Sequence, residues 1–161
     1  MIEILTDFVV KVLGWAMPAT LRQLYPKEKI LKLIKVRVAA EGAGIEFWAG
    51  ELPRAKVFVT LTNLSPFPLE LDRAFGKFFY GSALTDFSYL KVEEIPPASE
   101  KQISIETDLT KEHIAVIQAC RAANQNPTVE FNAHLHCSIH DLDLTRVLQT
   151  SHYRLVNFVE K

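Results

Sequence analysis

Asn63-Leu-Ser-Pro-Phe-Pro-Leu-Glu-Leu-Asp-Arg-Ala-Phe-Gly-Lys-Phe-Phe-Tyr80 is the stretch whose reading decides the fold. Ahead of it, Val57, Val59 and Leu61 alternate with Lys56, Thr60 and Thr62, the period-two pattern of a half-buried strand. Asn63 to Pro68 then interrupts the ladder. Pro66 and Pro68 have no amide hydrogen to donate, so the segment reads as an edge or a crossing between sheets, not a central strand. Leu69 and Leu71 restart an extended run that continues to Tyr80, with Gly76 as an expected bulge and Gly81 as a turn. A strand, a proline-stiffened crossing and a second strand make a corner of a β-sandwich.

Downstream, Phe87–Glu94 reads as a weaker strand, Ile95-Pro96-Pro97-Ala98-Ser99 as a loop, and Ile103 and Ile105 as part of another strand. One helix follows. Thr110 is placed to cap it with His113 at the third helical position, Ile114, Ile117 and Cys120 mark its buried stripe, and Asn124-Gln-Asn126-Pro127 stops it. In the next strand Val129, Phe131, Ala133, Leu135, Cys137 and Ile139 face one way, and Thr128, Glu130, Asn132, His134, His136, Ser138 and His140 the other. A slip of one residue would turn that apolar set to water, so its register is tightly specified. A final extended region over about 147–159 closes the sheet. Upstream, Leu33–Val38 and Ile45–Trp48 read as strands around a Gly42–Gly44 turn. The expected fold is mainly β: a two-sheet antiparallel β-sandwich of the fibronectin III or immunoglobulin kind, with one inserted helix and an N-terminal apolar helix.

At 161 residues and 48% hydrophobic content the chain can bury a real core and is not a mainly disordered protein. Its net charge of −1 gives no general reason to expect a nucleic-acid partner, and no basic sheet face or base-reading motif is present. The two cysteines, Cys120 and Cys137, lack CxxC spacing, which fits a reducing compartment better than a disulfide framework.

The charge is unevenly placed. Residues 1–37 hold 7 basic and 3 acidic side chains, whereas the remainder holds 11 basic and 16 acidic ones, so a basic leading segment precedes a mildly acidic domain. Within residues 2–17, Glu3, Asp7 and Lys11 recur every four residues and would form one narrow polar stripe on a helix. Ile4, Leu5, Phe8, Val9, Val12, Leu13, Trp15 and Ala16 would cover the rest of its surface, until Pro18 ends or kinks it. The run falls short of the roughly 20 apolar residues of a membrane span. It also does not read as a secretory signal, since its first charges are Glu3 and Asp7. Two readings remain: a helix packed on the sandwich or on a second copy, or one set in or against a membrane or a membrane-protein partner. The basic run that follows favours the second. Arg22, Lys27, Lys29, Lys32 and Lys35 lie just beyond the apolar residues, with Trp15 and Tyr25 suited to a headgroup zone. Each such cation beside an anionic leaflet contributes on the order of 1 kcal/mol. The expected division is an amphipathic helix and basic linker over 1–26, then the sandwich domain over 27–161.

Asn63-Leu-Ser-Pro-Phe-Pro-Leu, the long extended segment to Gly81, and Ile95-Pro-Pro-Ala-Ser before an alternating strand resemble the LEA14-like or WHy (water stress and hypersensitive response) family. In that family an Asn-Pro-Asn-like strand end precedes the crossing, and here Asn63-Leu64-Ser65 stands in its place, which marks a diverged member. The resemblance runs from about Val36 to Phe158. It implies a binding or protective module without an enzyme active site.

Chemistry-bearing patterns are few. His134, His136 and His140 share the polar side of one expected strand, and neighbouring histidines at a spacing of about 6.5–7 Å suit a shared metal in some barrels. A zinc site needs three or four convergent ligands, and His140 lies two pleats further on, so the expectation is a polar outer face and no metal. No GxSxG, P-loop, GxGxxG, HExxH or CxxC pattern occurs, and no cofactor is expected. Phe75, Phe78, Phe79, Tyr80, Phe87 and Tyr89 concentrate aromatic surface, as core or as a groove for a lipid tail or a partner helix. The functional expectation is a non-catalytic sandwich on the cytoplasmic face of a membrane, an accessory subunit of a larger membrane complex that contacts integral membrane subunits. The alternative is a soluble stress-protective or hydrophobic-ligand-binding domain. A metal-dependent enzyme using the His134/His136 face ranks last.

Overall fold

The computed structural model describes residues 18–39 and 44–158. Two short helices lead into the sandwich: residues 18–24 (α1) and Lys27–Leu33 (α2). Ten strands follow: β1 (Ile34–Val38), β2 (Ile45–Trp48), β3 (Arg54–Asn63), β4 (Leu69–Tyr80), β5 (Ala83–Tyr89), β6 (Glu93–Ile95), β7 (Ser99–Asp108), β8 (Thr128–His136), β9 (Asp141–Gln149) and β10 (Tyr153–Val156). A third helix, α3 (Lys111–Ala122), joins β7 to β8.

The expected two-sheet β-sandwich is what the chain forms. In the first sheet β7 runs along one edge of β3, while β1 and β2 share the other edge end to end. β10 lies outside β2 and parallel to it, the exception among the described strands, which otherwise pair antiparallel. In the second sheet β5 and β6 share one edge of β4, and β8 followed by β9 takes the other. Val57, Val59, Leu61, Ile103 and Ile105 from the first sheet bury against Leu71, Phe78, Phe131, Leu135 and Leu144 from the second. Burial of this kind contributes roughly 25 cal/mol per Å² of apolar surface. Phe47 bridges the sheets, with its ring 5.4 Å from Phe78 and 5.7 Å from Tyr80, centroid to centroid.

β4 departs from strict alternation, and the reason is local. Leu69 and Leu71 are buried, but beyond Asp72 the buried positions become Ala74, Phe78 and Tyr80, so the parity changes. The β4–β8 register shifts between Leu71 and Arg73, which places a β-bulge at Asp72 and not at Gly76. Gly76 sits in regular pairing, opposite Phe131 and Phe87. What it supplies is close approach, since a Cβ there would run into the Glu130 carbonyl oxygen. Gly81 has φ +62 in the two-residue β4–β5 turn, where only glycine is unstrained.

Three further expectations are corrected. β8 ends at His136, and its apparent continuation is a turn over 137–140 closed by the Cys137 amide to the His140 carbonyl (2.9 Å). The last extended region begins at Asp141, well before residue 147, and is two strands. Lys27–Leu33, expected within the mainly β domain, forms α2, because burial of Ile30 (0% exposed) against the sandwich favours the helical arrangement of Lys-Glu-Lys-Ile-Leu-Lys-Leu. Pro18 is itself helical, and the expected apolar helix preceding it lies outside the described residues. The helix α3 forms as expected: Thr110 and His113 make a reciprocal capping box, and Ile117 and Cys120 are buried.

Candidate functional site

One end of the sandwich gathers the features singled out in the sequence. It comprises α1, α2, the Asn63–Pro68 crossing, the Pro96–Ala98 loop and the Cys137–His140 turn, and Asn63 holds its centre. Its Nδ2 donates to the carbonyls of Phe67 (2.8 Å), Ile95 (2.9 Å) and Pro96 (3.2 Å), while its Oδ1 accepts from the Ser65 amide (2.9 Å) and hydroxyl (2.6 Å). Asn63 is fully buried, so this one amide ties the crossing to the loop after β6 inside the protein, where an unmade hydrogen bond is expensive.

The helices are fastened to that end through specific contacts. The Tyr25 ring meets Phe67 edge-on at 5.2 Å, and Lys29 Nζ lies 4.5 Å above the Tyr25 ring centroid. Arg22 Nε donates to the Ile139 carbonyl (3.0 Å), and His140 Nε2 lies 2.9 Å from the Tyr25 carbonyl, a contact that requires a hydrogen on Nε2. The Leu64 amide donates to the Leu33 carbonyl (2.9 Å), and an Arg146 Nη donates to Leu31 (3.3 Å). Residues 18–33 are thus held on the sandwich at several points.

The basic residues expected to meet lipid or a partner, Arg22, Lys27, Lys29, Lys32 and Lys35, are all exposed. Arg22 and Lys29 also serve the local structure, since Lys29 donates to the Leu24 carbonyl (3.0 Å). Lys27, Lys32 and Lys35 make no hydrogen bond or ion pair among the described residues. Arg37, further along β1, pairs with Glu100 (3.0 Å). Leu24 and Leu64 are more than half exposed at this same end. The apolar residues Ile4, Leu5, Phe8, Val9, Val12, Leu13 and Trp15 lie outside the described residues. Among the described residues no helix is long and apolar enough to cross a membrane.

The histidines divide between two settings. His134 and His136 lie on the outer face of the second sheet, directly opposite Asp143 and Asp141 in the β8–β9 register. Each imidazole pairs with its facing carboxylate through Nδ1, His136 to Asp141 at 2.7 Å. His140, expected on the same face, is instead carried by the turn and directed at Tyr25. Among the described residues no group of three or more potential ligands converges on a metal position. The signal for the two pairs was in the sequence, since Asp141-x-Asp143 repeats the spacing of His134-x-His136, and the 137–140 turn brings the two into register.

The hydrogen bond that His136 donates to Asp141 holds the His136 imidazole above its ordinary range, and His136 in turn holds the Asp141 carboxyl below its own. The contribution of His136 is therefore present below the ordinary imidazole range and lost as pH rises through its raised value. That of Asp141 is present above the ordinary carboxylate range and lost in acid. An Asp141→Asn chain is expected to titrate His136 at lower pH than the parent in an NMR titration. An unmoved midpoint would mean that the pair does not persist in solution.

The aromatic concentration is split as well. Phe78, Tyr80 and Phe87 are buried between the sheets, whereas Phe75 is exposed on the outer face, its ring 5.7 Å from His134. Burial pushes the Tyr80 hydroxyl well above its usual range, and the hydroxyl donates to the Gln125 carbonyl (3.0 Å).

No family model matches the chain, and no curated protein matches it. Solved structures do. The chain is similar to the X-ray structure of a Northeast Structural Genomics Consortium target, at 11% identity and a TM-score of 0.52, with 80% of this chain and 94% of that one covered. It also matches the solution structure of a candidate late embryogenesis abundant (LEA) protein at 8% identity and a TM-score of 0.42, covering 92% of this chain and 86% of that one. A third match is a candidate ApaA protein from Bordetella pertussis, at 10% identity and a TM-score of 0.42, covering 73% of this chain and 90% of that one. The likeness to the first is one of fold alone.

Proposed function

We propose that the chain is a non-catalytic β-sandwich module held at the cytoplasmic face of a membrane by its N-terminal segment, where it serves as an accessory subunit of a membrane assembly. The observation that carries this reading is the composition of one end of the sandwich. Where the chain arrives from the apolar residues 2–17, it presents Arg22, Lys27, Lys29 and Lys32 together with exposed Leu24 and Leu64. Cations beside apolar side chains suit the boundary between anionic headgroups and acyl chains. Because α1 and α2 are pinned to the Asn63 corner and to the β8–β9 turn, an anchored N-terminal segment would set the orientation of the whole sandwich. A free linker would not.

The full chain is expected to sediment with vesicles containing anionic lipid, and a chain lacking residues 1–17 to remain in the supernatant. The shorter deletion is the informative one, since removal through residue 26 would also strip Tyr25 from Phe67 and His140. A Lys27/Lys32/Lys35→Gln chain is expected to bind more weakly by about 1 kcal/mol for each charge removed, less so at high salt. Full-length protein that stays in the supernatant at low salt would refute the membrane reading.

A further inference from the structure

The wall between the helices and the β8–β9 turn holds a cleft of about 410 Å³, lined by Arg22, Lys27 and the turn from Cys137 to Asp141. Its polar groups are mostly donors. Arg22 spends Nε on the Ile139 carbonyl, which fixes the guanidinium at the cleft edge and leaves its Nη groups without another partner among the described residues. Lys27 contributes an ammonium that makes no hydrogen bond or ion pair there. The amides of Ser138 and Ile139, at the centre of the turn, make no backbone hydrogen bond among the described residues. His140 stands on the wall with its ring held by the Tyr25 carbonyl. Asp141 is the one carboxylate among the lining residues, and it is turned to His136 Nδ1 at 2.7 Å. Its charge is therefore partnered first by His136, outside the cleft, with Lys27 and His140 on the wall also acting on it.

We propose that this cleft binds a phosphate group, as a phosphomonoester carried by a lipid headgroup or by a soluble molecule. A guanidinium fixed through one nitrogen, with its remaining donors free, suits an oxyanion, and an ammonium adds a mobile point charge. The turn amides of Ser138 and Ile139, without a backbone partner among the described residues, add donors on the lining residues. The lipid source rests on the membrane reading above; the phosphate site itself does not. The site is local to Arg22, Lys27 and the turn, and Lys35, on β1, lies outside it.

The test uses the full ¹⁵N-labelled chain in two arms. In the first, inorganic phosphate is titrated and the amides of Ser138, Ile139 and His140 are followed. Saturable shifts are expected, weakened about fivefold by Lys27→Gln, the equivalent of one lost cation contact of about 1 kcal/mol, and unchanged by Lys35→Gln. Lys27 makes no hydrogen bond or ion pair among the described residues, so its replacement is expected to leave the sandwich folded. In the second arm, vesicles doped with phosphatidic acid are compared with vesicles doped with phosphatidylserine at equal surface charge. A preference for phosphatidic acid that Lys27→Gln abolishes identifies the lipid source. Phosphate shifts without vesicle binding would uphold the cleft as a site for a soluble phosphomonoester and end the membrane reading. Vesicle binding without headgroup preference, together with no saturable phosphate shift, would uphold the membrane reading and overturn the cleft. Equal losses from Lys27→Gln and Lys35→Gln would also overturn it, since a diffuse basic surface would account for them.

Discussion

An Asn63→Ala chain is expected to lose about 2–4 kcal/mol of unfolding free energy, read as a lower urea midpoint at unchanged slope. The side chain is fully buried and makes five hydrogen bonds, three through Nδ2 and two through Oδ1. Truncation does not orphan all of its partners. The Phe67 carbonyl keeps the Ser65 hydroxyl (3.0 Å), and the Pro96 carbonyl keeps the Ser99 hydroxyl (2.6 Å). The Ser65 amide loses its partner outright. Asn63→Asp is the sharper probe. It replaces the amide donor with a second acceptor aimed at three carbonyls, so its cost at neutral pH should exceed that of alanine. Protonation restores a donor, so the carboxyl would titrate high in the folded state, and the deficit should shrink in mild acid. An aspartate chain as stable as the parent at neutral pH would show that the corner is held by something other than this amide.

Gly76→Ala is expected to cost more than about 3 kcal/mol, with failure to fold as the extreme outcome. A Cβ at Gly76 would strike the Glu130 carbonyl oxygen and lie 2.8 Å from Phe87 Cζ. The phenyl ring could move, but the carbonyl belongs to β8, whose pairing with β4 would have to open. Gly50→Ala is the matched control, because a Cβ there meets nothing within 4 Å, and it should fall within about 0.5 kcal/mol of the parent. Similar losses for the two substitutions would show that the cost does not come from the β4–β8 approach, since the backbone-entropy change by itself favours alanine.

These two positions also show how far the sequence could be read. Asn63 was recognisable as a sheet crossing because the prolines after it cannot donate to a ladder, and β3, β7 and β8 were recognisable because one buried face imposes a period of two. Two of the amide's partners were not legible, since Ile95, at the end of β6, and Pro96, in the loop after it, lie more than thirty positions away. Gly76 misleads: a glycine within a strand signals a bulge, but the bulge lies at Asp72, and the glycine answers to a neighbouring backbone. The parity change from Leu71 to Ala74 was the available clue. The alternation through Cys137 and Ile139 misled for a related reason. Ile139 is buried at 4% exposure in a turn beside Arg22, so it satisfies the strand pattern without continuing the strand.

By itself the sequence determined the class of fold, the corner, the α3 cap and the separation of a basic leading segment from a mildly acidic body. Each of these follows from short-range periodicity, from residues with a missing donor, or from charge counted along the chain. Only the tertiary structure decided that α2 is a helix, that His140 leaves its two neighbours, and that Arg22 and Lys27 share a cleft with a turn more than a hundred residues away. Those outcomes depend on burial of Ile30 and Ile139 and on hydrogen bonds between segments far apart in sequence. No local pattern encodes such contacts.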